Sequence, residues 1–294
     1  MEGRSHVAPV FLFGSRLDSR RSDVQRAPSW YFADRETTLP QALTHRIDQR
    51  TPGQLRGLSL QPGFTAAALG SVLIATGATR VLCTASLEPR TPSWLARGGW
   101  ITAEYAMLPG ATRPRGRRDP GGRGKEIQRL IGRSLRAGVD LSQLVGPDGG
   151  LSIVCDCDVI EADGGTRTAS VTGAWVALEI CLRKLVASGK LSAHPGLGQV
   201  AAVSVGIVES EGAEDDPIAM LDLCYQEDSR AVVDLNVVMR GGMPDAPLGL
   251  VEVQGTGERG DFSRAQLDRM LDLAESGVAE LMAAQRAALI EAGV

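Results

Sequence analysis

Beyond about residue 50 the apolar positions of the chain follow either a strand period or a helix period, and they change from one to the other in blocks. "SVLIAT" and "TRVLCTAS" flank Gly77-Ala78, which predicts a β-hairpin. "EIQRLIGRSLRAGVDL" places Ile127, Leu130, Ile131 and Leu135 at helical spacing. "LSIVCDCDVI" predicts a strand, and "ASVTGAWVALEICLRKLVASGKL" predicts a long apolar helix ended by Gly189. Four strand-like runs follow: "QVAAVSVGIV", "IAMLDLCY", "AVVDLNVVM" and "LGLVEVQG". Ser263 and Gln266 have the spacing of a capping box, opening a last helix that runs toward Leu289. Hairpins and helices come in blocks, not in strict alternation. The expected fold class is therefore α+β, with mixed sheets packed against helices. Residues 1–49 hold neither period and mix Arg, Asp, Ser and Pro with scattered aromatics. They are expected to form a disordered N-terminal extension, and residues 50–294 a single domain.

Composition narrows the chemistry. Of 294 residues, 43% are apolar and 22% charged, the profile of an ordinary globular chain. No apolar run approaches the roughly 20 residues of a membrane helix. No basic start leads into an apolar stretch and a small-residue cleavage site, so no signal peptide is expected. The five cysteines lie mostly in apolar runs, which suggests buried thiols in a reducing compartment, the cytoplasm. A formal net charge of −4 means that nucleic-acid binding needs a local basic patch. With three histidines in the chain, a Ser-His-Asp triad or a histidine-rich zinc site has little to draw on. Arginines and carboxylates are left to carry any reaction.

Four clusters offer candidate chemistry. In "VIEADGGTRTAS" a strand ends near Glu161 and a helix begins near Arg167, with Gly164-Gly165 between them. Glycines allow close backbone approach, the first helical N–H groups attract anions, and Arg167 offers a planar fork for phosphate. Taken alone, the stretch is better read as a plain turn capped by Thr166 or Thr168, since Gly-rich turns are common. The second cluster, "GATRPRGRRDPGGRGKEIQRLIGRSLR", holds Arg113, Arg115, Arg117 and Arg118 in a Gly/Pro-rich loop. Arg123 follows, and Arg129, Arg133 and Arg136 share one helix face. Together they suit a polyanion, or else a solvated loop with structural ion pairs. In the third, "LDLCYQEDSRAVVDLNVV", either Asp228 and Asp234 bracket a loop and share a divalent cation, or Asp222 and Asp234 lie opposite each other in a hairpin. Solvent-facing acids are the plain alternative. The fourth, Cys155-Asp156-Cys157-Asp158, lacks further ligands and is assigned to a core-facing strand.

In combination these parts suggest phosphoryl or nucleotidyl transfer. The blocks "RTPGQLR", "RVLCTAS", "WITAEYAMLP", "GGRGKEIQRLIGRSLRA", "CDCDVIEADGGTRTAS", "KLVASGKL", "VAAVSVGIV", "QEDSRAVVDLNVVM" and "VEVQGTGE" occur in one order over most of the chain. In them the sequence resembles the ribonuclease PH family of phosphate-dependent 3′-exoribonucleases. It is more distantly similar to the repeated domains of polynucleotide phosphorylase and to exosome ring subunits.

The resemblance implies a ribonuclease PH-type domain, ribosomal protein S5 domain 2-like, over residues 50–294. It implies a phosphate site built from Arg123, Gly165, Thr166 and Arg167. It places catalytic and metal-associated carboxylates at Asp228 and Asp234, with Asp222 as their neighbour on the metal. Arg113, Arg115, Arg117 and Arg118 fall where relatives grip tRNA. Gly110 stands where an RNA-gripping arginine is common, and the loop is short. Inorganic phosphate, as co-substrate, would attack the last phosphodiester of a tRNA precursor or other structured RNA and release a nucleoside diphosphate. Mg²⁺ or Mn²⁺ would assist. A homo-hexamer, a trimer of dimers, is the implied assembly. Two rivals are a hydrolytic metal nuclease, which leaves the arginine site without purpose, and a silent RNA-binding ring subunit, which would be expected to lose the arginines or the acids.

Overall fold

A computed structural model describes residues 46–88, 90–118, 121–208, 218–241 and 247–293. In chain order the elements are β1 (Leu58–Pro62), β2 (Gly70–Thr76), β3 (Thr79–Glu88), β4 (Trp100–Met107), α1 (Gly121–Ala137), β5 (Val145–Gly146), β6 (Gly149–Gly150), β7 (Ser152–Glu161), α2 (Thr166–Ala187), β8 (Gln199–Val208), β9 (Ile218–Leu221), α3 (Tyr225–Asp228), β10 (Ala231–Gly241), β11 (Gly249–Gly257) and α4 (Arg264–Glu291). The mixture is α+β, as its pattern of blocks implies. Among the described residues the strands form a five-stranded sheet in the order β1-β2-β3-β7-β4 and a four-stranded sheet in the order β11-β10-β8-β9. β5 and β6 make a small separate ladder. The first sheet is mixed because β4 joins β7 in parallel, while its other pairs are antiparallel.

Helix α2 organises the rest. Its residues are buried without a break from Thr168 to Leu182. A helix that is apolar all round must be covered all round. On one side it packs with α1 against the inward face of the first sheet, where Val72, Ile74, Val81, Cys83, Cys155 and Cys157 lie. On the other it meets β8, whose Val200 and Ala202 share the same core. The opposite face of β8 and β10 buries Val203, Val205, Leu235 and Val237 against Met270, Val278 and Met282 of α4. Polar stitches fix the stacking. Thr172 Oγ1 donates to the Ala202 carbonyl (3.2 Å) and accepts from its N–H (3.1 Å). Gln285 of α4, fully buried, donates to the carbonyls of Thr172 and Val200.

Several sequence expectations hold. β2 and β3 turn at Gly77-Ala78, and Cys155 and Cys157 point to the core while Asp156 and Asp158 do not. The capping box of Ser263 and Gln266 forms in both directions. Others need correction. Helix α1 begins at Gly121, ahead of the expected "EIQRL" start, and β4 and α3 were not foreseen. The acidic segment is not a hairpin. β8 lies between β9 and β10, pairing Val205 with both Leu221 and Leu235. Nor does the packed chain start at residue 50. Arg46 is 3% exposed, and it donates to the Leu221 carbonyl (2.6 Å) and pairs with Glu227 (2.7 Å). A buried guanidinium with that many partners moves the edge of the fold at least four residues upstream. Residues 1–45 of the expected extension lie outside the described residues.

The contact between α2 and β2 depends on a missing side chain. A Cβ at Gly70 would sit 1.8 Å from the Ala177 carbonyl oxygen, so strand and helix backbone approach too closely for any other residue. Gly70→Ala should therefore cost about 1–3 kcal/mol or more of unfolding free energy, through a forced shift of α2. Denaturant melts read this directly, and an unchanged midpoint would show that the two elements yield without cost.

Candidate active site

A cleft of about 820 Å³ opens where the start of α2 meets α3 and β10. β7 delivers the chain to its edge at Glu161, and α2 leaves from it at Thr166. Between them Gly164 and Gly165 have φ of 76° and 65°, the left-handed region that glycine enters without strain. This loop is clamped from behind. Thr79 Oγ1 donates to the Gly164 carbonyl (2.7 Å) and accepts from the Asp163 N–H (2.8 Å). Arg56 Nη1 donates to the Asp163 carbonyl (2.5 Å). Gly165 is the N-cap of α2 and supplies no side chain to its first turn. The opening amides of a long, rigid helix therefore face the cleft, with the positive end of its dipole.

Arg123 and Arg167 line the same cleft, from α1 and α2. Arg167 touches Glu126 only at 3.8 Å, and Glu126 is half exposed, so that pair is weak. Its Nε is buried without a partner among the described residues. Thr166 Oγ1 is 2.9 Å from the Tyr105 hydroxyl. Opposite stand Asp228, the last residue of α3, and Asp234, on β10. Burial raises the Asp228 carboxyl, while the charges of Arg123 and Arg167 pull it back down. Asp234 is pushed up to about 6, first by burial and then by the charge of Asp228, with Arg167 opposing. The two arginines act on Tyr105 too, lowering a hydroxyl that burial raises. One small volume thus holds two guanidinium groups, unbonded amides and two carboxylates that resist being charged together.

Among the expected residues, the cleft brings together Arg123, Gly165, Thr166, Arg167, Asp228, Asp234 and Arg113. Arg115, Arg117 and Arg118 are exposed on the neighbouring loop, with Gly110 and Arg113 at its cleft end. That loop is tied down at buried Ala111, whose carbonyl accepts from the Ala162 N–H (3.0 Å).

Asp222 is a correction. Its φ is 53° and its N–H bonds the Ser204 carbonyl, which turns it out of the strand. Its carboxylate accepts three N–H bonds from Arg56, at 2.9, 3.0 and 2.7 Å, beneath the glycine loop. It is occupied by Arg56 and does not line the cleft with Asp228 and Asp234. The basic face of α1 also changes meaning. Arg133 pairs with Glu252, and Arg136 lies 4.4 Å from the Trp100 ring centroid while bonding the Ile101 carbonyl. Their charges are spent within the fold.

Other residues of the site were not singled out from sequence. Arg56 gives no local signal, because its partner Asp222 is 166 positions away. Arg46 and Arg50 hold the same region, through Glu227 and the Asp222 carbonyl. Ser204 and Asn236 line the cleft, and there a signal existed: Ser204 is a polar residue inside an apolar strand run, and Asn236 shares a strand face with Asp234.

Comparison with known proteins agrees with this architecture. The profile of the 3′ exoribonuclease family, domain 1, matches residues 54–183, and that of domain 2 matches residues 198–277. A protein of Crocosphaera subtropica named Ribonuclease PH is 50% identical over 252 residues, 84% of this chain and 98% of its own length. One of Corynebacterium glutamicum with the same name is 52% identical over 251 residues, 83% of this chain and 96% of its own. Solved structures share the fold: rice Rrp46 (TM-score 0.65, 18% identity, 82% of this chain and 98% of that one) and the Archaeoglobus fulgidus exosome with RNA bound to the active site (TM-score 0.67, 22% identity, 81% and 92%). With both of its halves matched and relatives identical at about half of the aligned positions, the chain belongs to the 3′ exoribonuclease family.

Proposed function

We propose that the cleft binds inorganic phosphate and uses it to release nucleoside diphosphates, one at a time, from the 3′ end of RNA. The observation that carries this reading is an anion site aimed at two acids: the open start of α2 and the unpartnered Nε of Arg167 face Asp228 and Asp234 across one cleft. Orthophosphate sits between Arg123, Arg167 and the amides that follow Gly165, with Thr166 beside it. One of its oxygens attacks the phosphorus of the last phosphodiester. The new P–O bond forms as the P–O3′ bond breaks, the electron pair goes to the 3′ oxygen, and that oxygen takes up a proton. Charge spreads over the nonbridging oxygens, where two fixed guanidinium groups stabilise it without reorganising. A phosphodiester is exchanged for a diphosphate, so the reaction runs in both directions.

The acids fit a divalent cation. Among the described residues no cluster of three or more His, Cys, Asp or Glu side chains could hold a metal unaided. Two carboxylates facing a phosphate site are the donor set that Mg²⁺ or Mn²⁺ completes with water and phosphate oxygens. Asp228 and Asp234 would hold it, and it would supply Lewis-acid stabilisation of the phosphoryl charge. Arg113, Arg115, Arg117 and Arg118 lie beside the cleft mouth and grip the RNA body, with tRNA precursors as the substrate class. The working enzyme is a ring of six copies, a trimer of dimers, in the cytoplasm. None of its described helices is long and apolar enough to cross a membrane. The catalytic domain starts at or before Arg46, and the residues ahead of it are dispensable for turnover.

Purified protein given RNA should release nucleoside diphosphates in proportion to added phosphate. Monophosphate release that ignores phosphate would instead establish hydrolysis. Arg167→Ala should lower turnover by about 10²-fold or more while RNA binding stays little changed.

The pH dependence follows from Asp234. Below about 6 this carboxyl is protonated and cannot share a cation with Asp228. Phosphorolysis should fall as pH drops through 6, and the opposite slope would make Asp234 the proton donor. A carboxyl whose pKa is raised by folding costs stability once pH exceeds its unfolded value. Asp234→Asn should thus melt no lower than wild type at pH 7.5, yet lose about 10²-fold or more in rate. A lower melting temperature would mean that the charge supports the fold.

A further inference from the structure

We infer that Ser204 binds substrate in this cleft, its hydroxyl donating a hydrogen bond to a phosphoryl oxygen of the reacting complex; the inference rests on the phosphorolytic reading above. The argument begins with the alternation of β8. Val203 and Val205 face α4, while Val200 and Ala202 face α2. Ser204 continues the second line, one step further toward the start of α2. On β10 the cross-strand partners of Ala202, Ser204 and Gly206 are Val238, Asn236 and Asp234. The face that meets α2 is therefore apolar along the body of the helix and turns polar at its first turn.

Ser204 is 4% exposed, and its Oγ is buried without a hydrogen-bond partner. Three side-chain atoms share that condition among the described residues, and two of them, Ser204 Oγ and Arg167 Nε, belong to residues lining the same cleft. A buried hydroxyl left unpaired destabilises a fold, and alanine, present two positions earlier, would avoid the cost. Its neighbours do not claim it. Asn236 Nδ2 reaches Asp234 at 3.4 Å, and the Ser204 carbonyl is taken by the Asp222 N–H. The acceptor that remains for Oγ is one the protein does not supply. The other buried, unpaired side-chain atom of the cleft among the described residues is a donor, Arg167 Nε, and the acceptor that serves both is a phosphoryl oxygen, either of orthophosphate or of the terminal phosphodiester.

Ser204→Ala and the near-isosteric Ser204→Cys should each lower kcat/KM about tenfold or more, the effect of one lost bond to a charged acceptor. Neither should melt below wild type, since no protein contact is removed. A rise in KM for inorganic phosphate assigns the bond to orthophosphate. A fall in kcat with that KM unchanged assigns it to the phosphodiester, and both results support the inference. Rates of both variants within twofold of wild type would overturn it, as would a rate loss accompanied by a drop of several degrees in melting temperature. Wild-type enzyme in the same assay keeps the two readings apart. If its diphosphate release does not follow added phosphate, phosphorolysis itself is wrong; if it does and the variants match it, only the assignment of Ser204 fails.

Discussion

A helix covered on every side still has amides in its first turn that nothing within the helix can bond. In this chain that constraint shapes everything near the cleft. α2 is buried from Thr168 to Leu182, so its axis cannot tilt to expose the first turn to bulk water without breaking the core around it. A serine or aspartate at the N-cap would have quenched the amides locally. Gly165 stands there instead, and the turn stays open. The apolar packing far from the cleft therefore fixes where an anion is held, and at what angle.

The electrostatics of the acids follow from the same packing. Asp234 is partly buried between β8 and β11, and Asp228 is held near it by a one-turn helix. Among the described residues neither pairs with an arginine: Arg56 is taken by Asp222 and Arg46 by Glu227. Those buried pairs are costly to desolvate and add little net stability. What they do is geometric: they pin the chain just before α3, at Asp222, and within it, at Glu227, so that Asp228 is held in place. Like charge near like charge survives because the backbone around it is tied down elsewhere.

Much of this was legible in the residues. The long apolar run of α2, the capping box of α4 and the Gly77 hairpin each carry their own local signal, and each formed. The glycine turn before Arg167 is readable as an anion loop, though by itself a plain turn is the better reading, and it is Arg123 and the acids that tip it. What could not be read depended on distant partners. The pairing of Asp222 with Arg56 spans 166 positions, and no period in either segment announces it. The register of the acids failed for a similar reason. β9 and β10 look like neighbours because only a short connection separates them, yet β8 lies between the two. Arg133 and Arg136 showed correctly that charge shared one face of α1, but not that Glu252 and Trp100 would absorb it.

The family's two matched segments divide the cleft between them. Arg123 and the Gly165–Arg167 turn fall within residues 54–183, and Asp228 and Asp234 within 198–277. The halves touch closely: the Tyr225 N–H donates to the Asp163 side chain at Oδ1 (3.2 Å), and a Cβ on Gly164 would lie 2.6 Å from the Leu223 carbonyl oxygen. A shear of one sheet past the other that preserved every ladder bond would still part the nucleophile's seat from its acids. Turnover is in that sense a gauge of how rigidly the two sheets grip α2.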